Sequence, residues 1–163
     1  MTKEQYEKLS APFRSPIRTR ILNIINKVLT YICYILYPVL LLYLIILWDP
    51  RFWKALLVPA IAFVLLSVIR KKLNRPRPYQ ILDINPLTHK DTKGKSMPSR
   101  HVFCVFMIAM TWLWIIPWMG IILLIIGIVM AIIRVIGGVH FPKDVAVGAA
   151  VGILAGIIGY WIL

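Results

Sequence analysis

The stretch Arg134-Val-Ile-Gly-Gly-Val-His140-Phe-Pro-Lys-Asp144 lies between two long apolar segments of the chain. Its spacing brings a cation, an imidazole and a carboxylate into one short connection. Ionisable side chains at the depth of a bilayer are costly, and they are usually functional. We therefore expect Arg134, His140 and Asp144 to form part of a polar site at one membrane surface.

The composition of the 163-residue chain is that of a membrane protein. Hydrophobic residues make up 60% of the sequence, whereas soluble domains are about 45–50% apolar. A single domain, residues 1–163, is expected at this length. The formal net charge of +13 suits anionic lipid headgroups or a phosphorylated substrate. So apolar a chain argues against a nucleic-acid partner, and the positive-inside rule accounts for part of the charge.

The apolar segments predict an all-α membrane bundle of about five transmembrane helices, at residues 21–48, 55–69, 101–116, 118–133 and 145–163. Because about 20 residues span a bilayer core, the first segment makes one tilted helix rather than two. Residues 1–20 are basic and are expected to form an interfacial segment. Residues 70–98 form the long polar loop, which is expected to carry part of a site.

The number of predicted helices places four polar clusters on one side of the membrane. They lie at the end of the second helix, the start of the third, the end of the fourth and the start of the fifth. Their members are Arg70 and Arg77, Ser99 with His101, Arg134, and His140 with Asp144. Arginine binds phosphate with two parallel hydrogen bonds. We therefore expect one cationic site that accepts a phosphate carried on a lipid.

The residues in these clusters suggest chemical roles. His140 precedes a helix expected to begin near Pro142, so an anion beside it would lie at a helix N-terminus. Asp144 could orient the His140 imidazole for attack on phosphorus, or could simply be stabilised by the helix dipole. His101 suits general acid catalysis near neutral pH. Ser99 is a candidate N-cap and also a candidate phosphate ligand.

Other polar residues receive structural interpretations. Cys33 and Cys104 lie within apolar segments, where thiols behave as small hydrophobes, so no disulfide is expected. His89 and Asp91 form a weak metal-binding pattern and are interpreted as ordinary loop residues. No metal site and no cofactor are expected.

A ladder of small residues runs along the last apolar segment. Gly148, Gly152 and Gly156 recur at every fourth position, which allows helices to approach closely. We expect this packing within the chain, because a small bundle needs close contacts. A homo-oligomer is the alternative that the same pattern permits.

Three motifs resemble those of the type 2 phosphatidic acid phosphatase (PAP2) family, the lipid phosphate phosphatases. The family motifs are Lys-x6-Arg-Pro, Pro-Ser-Gly-His and Ser-Arg-x5-His-x3-Asp. The corresponding stretches are Arg70-x6-Arg77-Pro78, Pro98-Ser99-Arg100-His101 and Ile133-Arg134-x5-His140-x3-Asp144. The resemblance covers about residues 55–163, and three motifs in order are far more specific than any one.

The resemblance implies a small bacterial membrane phosphatase that needs no metal and forms a phosphohistidine. It implies that His140 is the nucleophile, that Asp144 is its partner and that His101 is the general acid. Phosphate-binding candidates are Arg70, Lys71, Arg77, Ser99, Arg100 and Arg134. The implied substrates are undecaprenyl diphosphate, phosphatidylglycerophosphate and phosphatidic acid.

Four features depart from the family pattern. Arg70 stands in place of the family lysine, and the adjacent Lys71 could substitute for it. Arg100 replaces a glycine and brings a further cation, while Ile133 replaces a serine and removes a hydroxyl group. Five helices are predicted, whereas bacterial members usually have six.

Two other functions are compatible with these residues. A lipid phosphotransferase would use the same groups and would differ only in its acceptor. A non-catalytic protein that binds or transports anionic lipids would need only the arginines. The presence of His101, His140 and Asp144 argues against this second alternative.

Two indications of sidedness conflict. Lys and Arg are concentrated on the side of the predicted site, which the positive-inside rule assigns to the cytoplasm. The resemblance to bacterial family members, which usually act on the outer face of the plasma membrane, favours the extracytoplasmic side. The charge rule is weakened here because several of these cations are candidate substrate ligands.

Overall fold

The computed structural model describes residues 1–90 and 92–163, and in these ranges it contains helices and loops without a β-strand. The helices are α1 (Lys3–Ser10), α2 (Pro16–Ile46), α3 (Arg51–Leu73), α4 (Pro78–Ile81), α5 (Arg100–Ile115), α6 (Pro117–Ile136) and α7 (Pro142–Ile157). A 3₁₀ turn, Ala11–Phe13, follows α1, and a π-helical turn, Ile158–Ile162, continues α7. The interpretation of His89 with Asp91 depends on Asp91, which lies outside the described residues.

The five long apolar helices confirm the predicted membrane bundle. Four of them, α2, α3, α6 and α7 with its π-helical turn, are long and apolar enough to cross a bilayer. The apolar helix α5 is shorter and contacts each of the other four. Ten of its residues, from Val102 to Trp112, are buried, so α5 is the central helix of the bundle.

The helices extend beyond the predicted apolar segments. Helix α2 begins at Pro16, and the Ser15 hydroxyl caps it by accepting a hydrogen bond from the Arg18 amide. Helix α3 continues through Arg70 and ends at Leu73, before Asn74 in the left-handed conformation. Lysine and arginine are good helix formers whose aliphatic stems lie along apolar surface. The apolar segment of the sequence therefore ends before the helix does, because the last turn of α3 contains basic residues.

The glycine ladder of α7 packs against α5 of the same chain. A Cβ atom at Gly148 would lie 2.7 Å from the Ser99 carbonyl oxygen, and one at Gly152 would lie 2.9 Å from that of Phe103. A Cβ atom at Gly156 would lie 2.5 Å from the Cβ atom of Met110. The predicted packing within the chain is confirmed, and it brings the N-terminus of α7 beside that of α5.

The N-terminal helix packs against the turn between α6 and α7. Tyr6 is fully buried, and its ring lies against Gly138, whose φ of +75° is readily adopted only by glycine. The Thr88 amide donates a hydrogen bond to the Gly137 carbonyl at 3.1 Å. The turn that carries His140 is therefore held from two sides by segments distant in sequence.

Candidate active site

A polar cavity of about 310 Å³ opens at the end of the bundle where α3, α5 and the α6–α7 turn meet. Its lining includes two histidines and six Lys or Arg side chains: Arg70, Lys71, Arg77, Lys90, Lys95, Arg100, His101 and His140. Among the described residues, no carboxylate lines it. The cavity therefore has the electrostatic character of an anion-binding site.

Buried polar groups surround the imidazole of His140. The Ser96 hydroxyl donates a hydrogen bond of 2.6 Å to Asp144 Oδ2, which also accepts one of 3.0 Å from the Phe141 amide. His140 Nδ1 lies 3.4 Å from Ser96 Oγ and 3.8 Å from Asp144 Oδ2. The latter distance is too long for a hydrogen bond, so Ser96 connects the expected pair.

Sequence reasoning missed Ser96. This serine is fully buried and lies in the polar loop before Pro98. Serines are common in loops, and neither hydropathy nor motif spacing distinguishes this one. Only the folded loop brings its hydroxyl between the imidazole and the carboxylate.

Burial determines the charge state of His140, which is 1% exposed. Burial lowers the pKa of His140 from 6.5 to about 4, and the charges of Arg77 and Arg134 act in the same direction. Asp144 opposes this shift. The imidazole is therefore uncharged at neutral pH, and a nucleophilic nitrogen needs that state because it must carry a free lone pair.

Arg77 and Arg70 hold the cavity wall together. The buried Arg77 guanidinium donates hydrogen bonds to the carbonyl oxygens of Val139 at 3.0 Å and Gly94 at 3.1 Å. Its Nη1 is 3.4 Å from His140 Nε2. The Arg70 guanidinium donates to the Lys95 carbonyl oxygen. Both predicted phosphate ligands line the cavity, and both also tie the 92–96 segment to its surroundings.

Of the four buried polar side-chain atoms that have no hydrogen-bond partner within the described part of the chain, two belong to predicted site residues. They are Nε of Arg134, a side chain only 4% exposed, and the hydroxyl of Ser99. Ser99 occupies the N-cap position of α5, but its side chain makes no capping hydrogen bond. Neither residue is part of the cavity lining. Since buried polar groups are almost always partnered, both are candidate ligands of an anion at this end of the bundle.

The backbone of Ser99 joins the two helix N-termini of the site. Its amide donates a hydrogen bond of 2.8 Å to the Asp144 carbonyl oxygen. Ser99 and Asp144 thus lie behind the cavity wall, while His101 lines the cavity from the first turn of α5. The structure brings all nine predicted site residues to the same end of the bundle.

An apolar groove lies on the membrane-facing side of the cavity. It has a volume of about 380 Å³ and is lined by α2, α3 and α5, including Tyr34, Phe63 and Cys104. A small gap lined by His101, Tyr34 and Cys104 lies between the groove and the polar cavity. An apolar chain in the groove would therefore end beside the site.

The cationic cavity and the buried His140 imidazole, at one end of a helical membrane bundle, suit an anionic group such as a phosphate. The family model of the PAP2 superfamily matches residues 51–163. This is more than half of the chain, which therefore belongs to the PAP2 superfamily.

Individual relatives agree with this assignment. Bacitracin transport permease protein BcrC of Bacillus licheniformis is 27% identical over 156 residues, covering 85% of this chain and 72% of the relative. The crystal structure of Aquifex aeolicus LpxE superposes with a TM-score of 0.73 at 28% identity, covering 96% and 92% of the two chains. A PAP2-type phosphatidylglycerolphosphate phosphatase from Bacillus subtilis shares the fold, with a TM-score of 0.70 at 24% identity over 96% and 82%.

Replacement of Arg134 by methionine tests whether its unpartnered guanidinium binds an anion. Inorganic phosphate should raise the melting temperature of the wild-type protein in detergent, with a stabilisation of about 1.4 kcal/mol at ten times Kd. Arg134→Met should lose this phosphate effect without losing stability in its absence, because no partner is left behind. Lys72→Met, a change at an exposed lysine outside the cavity, is the control. An undiminished phosphate effect in Arg134→Met would exclude the role.

Proposed function

We propose that the chain is a metal-independent lipid phosphate phosphatase that forms a phosphohistidine at His140. The observation that carries this proposal is the hydrogen-bonded arrangement of His140, Ser96 and Asp144 beside the cationic cavity. Because the Ser96 hydroxyl donates to Asp144, its oxygen is free to accept a hydrogen bond from Nδ1–H of His140. This tautomer leaves the lone pair on Nε2, as attack on phosphorus requires.

The reaction proceeds in two displacements. His140 Nε2 forms a bond to phosphorus while the bond from phosphorus to the leaving oxygen breaks, and His101 donates a proton to that oxygen. Asp144, through Ser96, stabilises the positive charge that develops on the imidazole ring. Water then attacks the phosphohistidine, with His101 accepting a proton, and inorganic phosphate is released.

Arginine side chains supply the positive charge that this reaction needs. Phosphoryl transfer depends mainly on positioning and on stabilising charge on the phosphoryl oxygens. Arg77 and Arg134 both act electrostatically on His140, and Arg70 lines the same cavity. Fixed guanidinium groups at these positions support a mechanism without a metal ion.

The apolar groove supports a lipid substrate. A phosphorylated headgroup in the polar cavity would place its attached chain in the groove between α2, α3 and α5. The substrates considered are undecaprenyl diphosphate, phosphatidylglycerophosphate and phosphatidic acid. The Bacillus subtilis protein that shares this fold is described as a phosphatidylglycerolphosphate phosphatase, which supports a lipid phosphate of this kind.

His140→Ala should lower the rate of inorganic phosphate release from a lipid phosphate by about 10³-fold or more, because the nucleophile is lost. Wild-type activity should survive EDTA, since arginines rather than a metal neutralise the phosphoryl charge. The measurement is phosphate release from detergent-solubilised protein. His89→Ala replaces a histidine outside the cavity lining and serves as the matched control. Activity that persists in His140→Ala would refute this nucleophile.

His101→Ala should lower kcat by about 10²- to 10⁴-fold with little change in KM, because a general acid acts in the transition state. Steady-state kinetics with one lipid phosphate separates the two constants. Normal turnover with only a raised KM would contradict the acid role and would assign His101 to binding.

We further propose that the cavity opens on the extracytoplasmic side of a bacterial plasma membrane. The N-terminal helix lies on the same side, since Lys3 forms an ion pair with Asp83 at 3.3 Å. A cysteine introduced at exposed Lys93, in a chain with Cys33 and Cys104 replaced, should react with a membrane-impermeant thiol reagent added to intact cells. Reaction only after the cells are broken would place the site in the cytoplasm.

A further inference from the structure

The side chains of four cations that line the cavity lie outside the hydrogen-bonded frame around His140: Lys71, Lys90, Lys95 and Arg100. Two of the four also act electrostatically on the His101 imidazole. They are Lys90 and Arg100, which line the cavity together with His101. Within residues 1–90 and 92–163, neither side chain forms an ion pair with a carboxylate. In the proposed mechanism, Arg77 and Arg134 already stabilise the phosphoryl group at His140. The presence of Lys90 and Arg100 in the cavity therefore requires a different explanation.

Lys90 is held in a strongly positive environment. Its side chain is half-buried, and burial together with the charges of Arg77, Arg134, Arg70 and Arg100 lowers its pKa to about 7. Repulsion among cations that are partly removed from water costs free energy. An anion placed between Lys90 and its neighbours would relieve this repulsion and would restore the charge of the lysine.

Arg100 occupies the boundary between the polar cavity and the apolar groove. Its guanidinium lies 5.8 Å from the ring centroid of Phe63, a residue that lines the groove. Arg100 itself is exposed, whereas His140 is buried at the inner end of the site. A substrate that extends from the groove to His140 would therefore pass Arg100 before it reaches the nucleophile.

We propose, on the basis of the function proposed above, that Lys90 and Arg100 bind a second phosphoryl group and make the site selective for lipid diphosphates. The terminal phosphoryl group lies at His140, and the lipid-linked phosphoryl group lies between Lys90 and Arg100. His140 attacks the terminal phosphorus, and the bridging P–O bond breaks. His101 donates its proton to the bridging oxygen, so that the leaving group is a lipid monophosphate.

This assignment gives Arg100 a specific purpose. The family motif that this stretch resembles has a glycine where this chain has Arg100. A glycine offers no side chain to a ligand. An arginine can bind a phosphoryl group with two hydrogen bonds while its plane remains close to the Phe63 ring. In the proposed subsite, Arg100 therefore adds a ligand for the lipid-linked phosphoryl group.

The first experiment compares two substrates with the same tail, farnesyl diphosphate and farnesyl monophosphate, in the full-length protein in detergent. Lys90→Met and Arg100→Gly should each lower kcat/KM for the diphosphate by about 10- to 100-fold, the effect of losing a charged hydrogen-bond partner. The monophosphate value should change by less than about three-fold. Lys72→Met, which changes an exposed lysine outside the cavity, should leave both values unchanged.

Equal losses for the two substrates, or no loss for either, would overturn the second-phosphoryl subsite. Arg100→Gln is a second variant at this position, because it keeps the length of the side chain and removes only the charge. If it retains full discrimination, the positive charge of Arg100 is not the determinant.

A binding measurement separates this inference from the catalytic proposal. In the His140→Ala background, calorimetric titration at constant ionic strength compares inorganic diphosphate with inorganic phosphate. The diphosphate should bind at least about ten-fold more tightly, as an added ion pair predicts, and Lys90→Met or Arg100→Gly should remove that advantage. Equal affinities overturn the subsite even if His140 is the nucleophile. Activity that persists in His140→Ala instead overturns the mechanism, and it leaves this comparison intact.

Discussion

The close approach of α7 to α5 is the constraint on which the site depends. Glycines on α7 bring the two backbones into contact, and the Ser99 amide donates to the Asp144 carbonyl oxygen at 2.8 Å. This contact joins the N-terminus of the helix that carries His101 to that of the helix that carries Asp144. A larger residue at position 148 would collide with the Ser99 carbonyl oxygen and would push the two helices apart. The packing of α7 against α5 therefore sets the relative positions of His101 and Asp144.

The second organising feature is an excess of positive charge around a neutral imidazole. Arg77 and Arg70 offset part of their desolvation by donating to backbone carbonyl oxygens. Arg134, by contrast, is buried with Nε unpartnered. Buried cations without counter-charges lower the stability of a folded chain, and the anionic substrate proposed above would supply the counter-charge. This arrangement favours the binding of an anion over the stability of the empty site, as the proposed function requires.

Much of the architecture could be predicted from the sequence. Apolar segments of membrane-spanning length imply helices, because the backbone must satisfy its own hydrogen bonds in a bilayer. The order of those helices then places His101, Arg134 and His140 at one surface, and the structure brings them to one end of the bundle. The helix ends were less predictable, since α3 continues through basic residues up to Leu73. Ser96 and Lys90 were missed because both lie in a loop whose path no periodic pattern describes.

The sequence by itself determined the class of the protein, its helical bundle and the residues available for chemistry, because hydropathy and motif spacing are local properties of the chain. Only the tertiary structure decided how those residues are connected. It placed Ser96 between His140 and Asp144, left the Ser99 hydroxyl without a capping hydrogen bond, and brought Lys90 into the cavity. These contacts join residues that are far apart in the chain. Their geometry depends on how closely the helices pack and on where the 92–99 segment folds back, neither of which is encoded in a local pattern.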